Sequence, residues 1–149
     1  MRILEKIQTL KPADFWVLLW ASFALPIVGL RLRVMGFKKV FRWANERSNN
    51  VRLIETDATT QSAHLGKLIN FVATHGWYNA NCLSRSLVLL RIMRQKGLPG
   101  EFRIGIPKHS SEDPTDILQA HAWLEYQGVV INDHKDVANR HAVFNSDLQ

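Results

Sequence analysis

The hydrophobic period of this chain changes once, at Gly97-Leu98-Pro99. Upstream, apolar residues return every three or four positions; downstream, they alternate with polar ones. The first pattern buries one face of a helix and the second one face of a strand, so the chain must join helices to a sheet. Leu65, Leu68, Ile69 and Val72 share one side of a helix predicted over about His64 to Thr74. Leu83, Leu87 and Leu90 do the same over Cys82 to Gln95, with Asn79 or Asn81 as its cap and Gly97 and Pro99 as its stop. Beyond Pro99, three strands are predicted over Glu101–Ile106, Gln119–Tyr126 and Val129–Asn132, the last two joined at Gln127-Gly128 as a hairpin. The fold class is α+β: a helical N-terminal region, then a core in which the Cys82 helix packs on a small antiparallel sheet. A chain of 149 residues buries roughly 70% of its unfolded surface, enough for one core. The expected organisation is a helical region over 1–60, serving partner docking, and the core over 61–149.

The N-terminal third is basic. Residues 1–54 hold ten Lys/Arg against three Asp/Glu, while the remainder is nearly balanced. Such a region suits an acidic partner or an anionic surface, or is simply a set of solvated helix faces. No nucleic-acid-binding signature accompanies the charge, so nucleic acid is not an expected partner. The longest uncharged run is Phe15 to Leu30, interrupted by Pro26. It falls short of the ~20 residues of a bilayer span and reads as a buried helix, bent at Pro26. Arg31, Arg33, Lys38, Lys39 and Arg42 follow it directly, which leaves peripheral membrane contact open though not expected. A second helix is predicted over Gly36–Asn45, with Phe37, Val40, Phe41 and Ala44 on one side.

The single cysteine, Cys82, excludes an internal disulfide and fits a reducing, cytoplasmic setting. A lone Cys is more often a packed apolar residue than a nucleophile. Its place at a helix start shifts that balance, because free amides and the positive end of the helix dipole favour thiolate over thiol. The same amides can donate to an oxyanion. His121 is the candidate base and Asp133 the candidate orienting acid. The hairpin can be counted. A two-residue loop sets Tyr126 opposite Val129 and His121 opposite His134. A three-residue loop, with Gly128 in the left-handed last position, sets Glu125 opposite Val129 and His121 opposite Asp133. A triad favours the latter register, or a bulge of the same effect. His134 and His141, read as lying beyond the third strand, compete for the role of base. No CxxC or HxxxH spacing indicates a metal site, and no glycine-rich loop indicates a nucleotide; no cofactor is expected.

Five stretches in order carry a more specific signal: Asn81-Cys82-Leu83-Ser84-Arg85-Ser86-Leu87, Gly97-Leu98-Pro99, Phe102-Arg103-Ile104-Gly105-Ile106, Ala120-His121-Ala122-Trp123-Leu124-Glu125 and Val130-Ile131-Asn132-Asp133. Together they resemble the lasso-peptide biosynthesis B2 proteins, which are transglutaminase-like cysteine proteases. The resemblance covers residues 77–144 well and the helical N-terminal part loosely. It implies a transglutaminase/papain-like core and a stand-alone leader peptidase that cuts a ribosomal lasso precursor. Cys82 is then the nucleophile, His121 the base and Asp133 the orienting acid. The implied partners are the precursor peptide, a small leader-recognition protein for which this chain looks too short to carry its own domain, and the ATP-using lasso cyclase. Two other readings stand beside it. One is a transglutaminase-like acyl transferase using the same triad. The other is a non-catalytic assembly or membrane-docking module with a buried, inert Cys82.

Overall fold

The computed structural model describes residues 11–47, 57–108 and 120–143. Most of the polar loop expected after Pro107, residue 119 of the second predicted strand and part of the connection after Asn45 lie outside the described residues. Four helices come first: α1 (Pro12–Met35), α2 (Phe37–Asn45), α3 (Ala58–His75) and α4 (Cys82–Gln95). Strands β1 (Glu101–Pro107), β2 (His121–Tyr126) and β3 (Val129–Val130) follow, then a short helix α5 (Val137–Arg140) and strand β4 (His141–Val143). The sheet is antiparallel, in the order β3-β2-β1-β4.

Helix α4 is the centre of the molecule. It touches α1, α2, α3, β1 and β2. Its residues Leu87, Val88, Leu89, Leu90 and Met93 are wholly buried, so it is enclosed on more than the single face its periodicity suggests. Each such side chain contributes about 1.5–3 kcal/mol by leaving water. The sheet packs on α4 through Ala122, Leu124 and Phe102, alternate positions of β2 and β1. Helix α2 closes one side by packing Phe37 and Phe41 against Phe102 as tilted rings, with centroids 5.4–6.0 Å apart. The cations at the end of α4 do more there than suit its dipole. Arg91 donates to the Trp43 carbonyl and lies over the Trp43 ring, and Arg94 bonds Asn45 Oδ1 and the Gly100 carbonyl.

Helix α1 is longer than the uncharged run within it. It runs through Pro26 without a break and spans 24 residues, about 36 Å. By length and composition it could cross a membrane, but Ala21, Leu25 and Val28 are buried against the helical core. Its start is stitched to α3: the Asp14 carboxylate accepts the Lys11 backbone N–H at 2.9 Å and holds His64 Nε2 at 2.9 Å. Its opposite face is exposed and also apolar, so the buried helix read from the sequence is buried on one side only. Helix α3 starts earlier than its apolar period, at Ala58. Asp57 caps it from a left-handed conformation by accepting the Thr60 amide.

Candidate active site

Cys82 occupies the first position of α4 because Asn81 caps that helix. The Asn81 Oδ1 accepts the Ser84 amide at 2.8 Å, and helical bonding begins with the Arg85 amide on the Asn81 carbonyl at 3.1 Å. The Cys82 amide therefore lies at the helix mouth, where unpaired donors and the dipole meet. The side chain is partly accessible.

His121 begins β2, beside this helix start. Its Nε2 contacts Asp133 Oδ2 at 2.5 Å, and its ring lies close enough to the Cys82 thiol for each group to shift the other's protonation. With Nε2 committed to the carboxylate, Nδ1 is the nitrogen left for sulfur. Asp133 in turn accepts the His134 backbone amide on Oδ1 at 2.7 Å, which fixes its plane. The structure thus brings Cys82, His121 and Asp133 into one chain of contacts.

The charges follow from this geometry. Burial pushes the Cys82 thiol up, but hydrogen bonds from His121 and the Ala122 amide, with the charges of His121 and Arg85, outweigh it and hold the thiol below its ordinary value. The His121 imidazole is raised to about 9, chiefly by its bond to Asp133 and then by Cys82, against the effect of burial. Burial likewise works against ionised Asp133, yet His121, the His134 amide and the charge of Arg85 keep the carboxyl below its usual range. All three shifts favour the charged forms: thiolate on Cys82, imidazolium on His121 and carboxylate on Asp133.

The hairpin reaches this arrangement by an unexpected route. Tyr126 pairs with Val129, so the loop is the two-residue one, not the three-residue one favoured above. Gln127 and Gly128 both have positive φ, 49° and 77°, as a type I′ turn requires. In that register Asp133 would face away from His121. The ladder instead ends early. Ile131 still donates to the Leu124 carbonyl, but the next bond comes from a side chain: Asn132 Oδ1 accepts the Leu124 amide at 2.8 Å. The chain bends there and turns Asp133 onto His121, the effect anticipated for a bulge.

That bend is held from two helices. On α4, Ser86 Oγ accepts from Asn132 Nδ2 and donates to the Ala122 carbonyl, both at 3.0 Å. On α3, Asn70 Nδ2 donates to the Asn132 carbonyl at 2.8 Å, and Gly66 lies against the Ile131 carbonyl so closely that a Cβ would sit 2.1 Å from its oxygen. None of these four residues stood out in the sequence. Ser86 and Asn132 lie within quoted motifs, but hydrogen bonding between elements leaves no period to read.

His121, Trp123 and Glu125 share one face of β2, as alternation requires. Trp123 is fully buried; its Nε1 donates to Glu125 Oε1 at 2.9 Å, and Arg103 Nε donates to Oε2 of the same carboxylate at 3.3 Å. His141, beyond the third strand as read from the sequence, opens β4, beside β1. Its ring stacks on His121 at 5.3 Å and lies 5.8 Å from Trp123, while Nδ1 donates to the Val137 carbonyl at 2.9 Å. It therefore backs His121 and does not replace it beside sulfur. The His134 side chain is exposed. His64 and His75 bond Asp14 and the Phe71 carbonyl, away from this site. His109 lies outside the described residues. Among the described residues no three His, Cys, Asp or Glu side chains are grouped as metal ligands would be.

No curated protein and no solved structure matches this chain. The model of one protein family, described as the transglutaminase-like superfamily, matches residues 24–145. That stretch runs from the middle of α1 through β4 and takes in Cys82, His121 and Asp133, and the mixed architecture of helices and a small antiparallel sheet agrees with it: the chain belongs to the transglutaminase-like superfamily.

Proposed function

We propose that this chain is a cysteine endopeptidase that removes the leader from a ribosomal lasso-precursor peptide, with Cys82 as nucleophile, His121 as acid and base, and Asp133 as the orienting acid. The observation that carries the proteolytic reading is the single line of contacts from Asp133 through His121 to a depressed thiol at a helix mouth. The lasso-precursor substrate is supported by the ordered motifs from Asn81 to Asp133 described above. The superfamily assignment is compatible with protease or acyl-transferase chemistry.

The Cys82 thiolate attacks the scissile carbonyl carbon, and the oxygen takes up charge near the Cys82 amide and the N-terminus of α4. The C–N bond breaks as His121 gives its proton to the leaving amine, leaving a thioester on sulfur. Neutral His121 then takes a proton from water. The hydroxide attacks the thioester carbon and the C–S bond breaks, which restores the thiolate beside the imidazolium; the new carboxylic acid leaves and gives its proton to solvent. Asp133 keeps Nε2 occupied throughout, so the imidazole presents Nδ1 to the reacting atoms. An amine in place of water at the second step would give acyl transfer.

The partners in this reading are the precursor, a small protein that presents its leader, and the lasso cyclase that acts afterwards. The test incubates precursor and presenting protein with the unsubstituted chain and with Cys82→Ala, and weighs the products. Cleavage that adds one water and disappears with Cys82→Ala is expected. Undiminished cleavage by the variant overturns the protease, and a product heavier by an amine shows transfer instead.

A further inference from the structure

Helix α1 has two apolar faces. One is packed: Ala21, Ala24, Leu25 and Val28 belong to the core. The other is bare. Trp16, Trp20, Phe23, Ile27, Leu30 and Val34 recur at intervals of four, three, four, three and four residues, which keeps them on one side of a helix. They are 36–76% exposed. A contiguous apolar stripe of this length is far more than the scattered exposed residues of an ordinary surface. A helix that is apolar all round is normally enclosed all round, so this face has an occupant.

The charge pattern selects which one. From Phe15 to Asn45 the sequence holds five cations and no acidic residue. Arg33, two positions beyond Arg31, flanks the stripe near the end of α1. Lys38, Lys39 and Arg42 are exposed on α2, whose other side packs Phe37, Val40, Phe41 and Ala44. A second copy docked here would bring cations toward cations with no carboxylate between them. An anionic bilayer supplies both needs at once, phosphate for the cations and acyl chains for the stripe. Tryptophan near one end of such a helix suits the boundary between headgroups and chains. Because its inner side is committed to the core, α1 cannot be surrounded by lipid; it lies along the surface with its outer side immersed.

We propose that α1 and α2 form a docking surface for an anionic lipid membrane, with the α1 stripe inserted into the interface and Lys38, Lys39 and Arg42 on the headgroups. The inference is independent of the chemistry at Cys82.

The test is sedimentation of the full chain with vesicles of phosphatidylcholine, with and without phosphatidylglycerol. Binding to the anionic vesicles, weakened by salt, is expected, with little binding to the neutral ones. The triple variant Lys38→Gln/Lys39→Gln/Arg42→Gln should bind roughly a hundredfold more weakly, since each cation near an anionic surface contributes about fivefold. The pair Phe23→Glu/Ile27→Glu should abolish binding and leave the alkylation rate of Cys82 unchanged, because both side chains are exposed. A reading that needs no charge insertion is quenching of tryptophan emission by bilayers of brominated lipid, reduced in Trp16→Phe/Trp20→Phe. No association with anionic vesicles, or equal association with neutral ones, overturns the proposal. So does a dimer or a protein complex that depends on Phe23 and Ile27 while vesicles are ignored.

Discussion

Substituting Gly66 by alanine reverses the sign that helix propensity alone gives. Gly66 is within α3, where alanine ordinarily stabilises by roughly 0.5–1 kcal/mol relative to glycine. Here the added Cβ would lie 2.1 Å from the Ile131 carbonyl oxygen and 2.9 Å from its carbon. Both atoms are backbone, so no rotamer change relieves the contact; α3 and the Ile131–Asn132 segment must separate by about 1.3 Å to restore ordinary contact. Overpacking of this kind costs typically 1–3 kcal/mol. The net expectation is destabilisation of up to about 2 kcal/mol, a fall in Tm of several degrees for a chain of this length. The displaced segment carries Asp133, so the functional loss should exceed the loss of stability. Urea unfolding followed by fluorescence measures the first effect, and the rate of iodoacetamide alkylation of Cys82 at pH 7, under conditions where the variant is fully folded, measures the second. A Gly66→Ala protein about 1 kcal/mol more stable than its parent, alkylated at the parental rate, would refute the claim that this close approach seats the bend.

Two further outcomes follow from the same geometry. Ser86→Ala leaves Asn132 Nδ2 and the Ala122 carbonyl without their buried partner and should cost about 1–3 kcal/mol in urea unfolding; combined with Asn132→Leu, the loss should be smaller than the sum of the two single losses. The pH dependence of stability has a definite sign. The stabilisation from His121, whose folded value is about 9 against 6.5, is complete below about pH 6.5 and is lost as pH rises through 9. That from Asp133, whose value is lowered, is complete above about 3.8 and is lost in stronger acid. The deficit of Asp133→Asn in urea unfolding should accordingly be greatest between about pH 4 and 6.5 and shrink above pH 9; a deficit constant with pH would count against the ion pair.

Much of the scaffold is visible in the sequence because burial imposes a period. The alternation from Glu101 to Ile106 and the spacing of Leu65, Leu68, Ile69 and Val72 located β1 and α3, although Thr59, Thr60 and Gln61 gave the first turn of α3 no apolar signal. A capping Asn is readable because Asn79 and Asn81 stand just ahead of a periodic run, and the structure selects Asn81. What period does not encode was missed. Counting residues leaves a three-residue loop and a bulge of the same effect undecided, because the irregularity rests on a side chain: Asn132 replaces a backbone acceptor behind a two-residue loop. Strand β4 is three residues long, too short to show alternation, so nothing in the sequence marks His141 as a strand residue although it stacks on His121. The uncharged run from Phe15 to Leu30 reads as buried in any sequence, and only the packing shows that one face of it is covered.

The central claim, that Asp133 and His121 together hold Cys82 as a thiolate, is tested most directly by the pH profile of Cys82 alkylation. The account predicts an apparent pKa well below the ~8.5 of a free cysteine in the unsubstituted chain, moving up toward that value in His121→Ala and part of the way in Asp133→Asn. A profile at or above 8.5 in the folded, unsubstituted chain, unmoved by either variant, would contradict it.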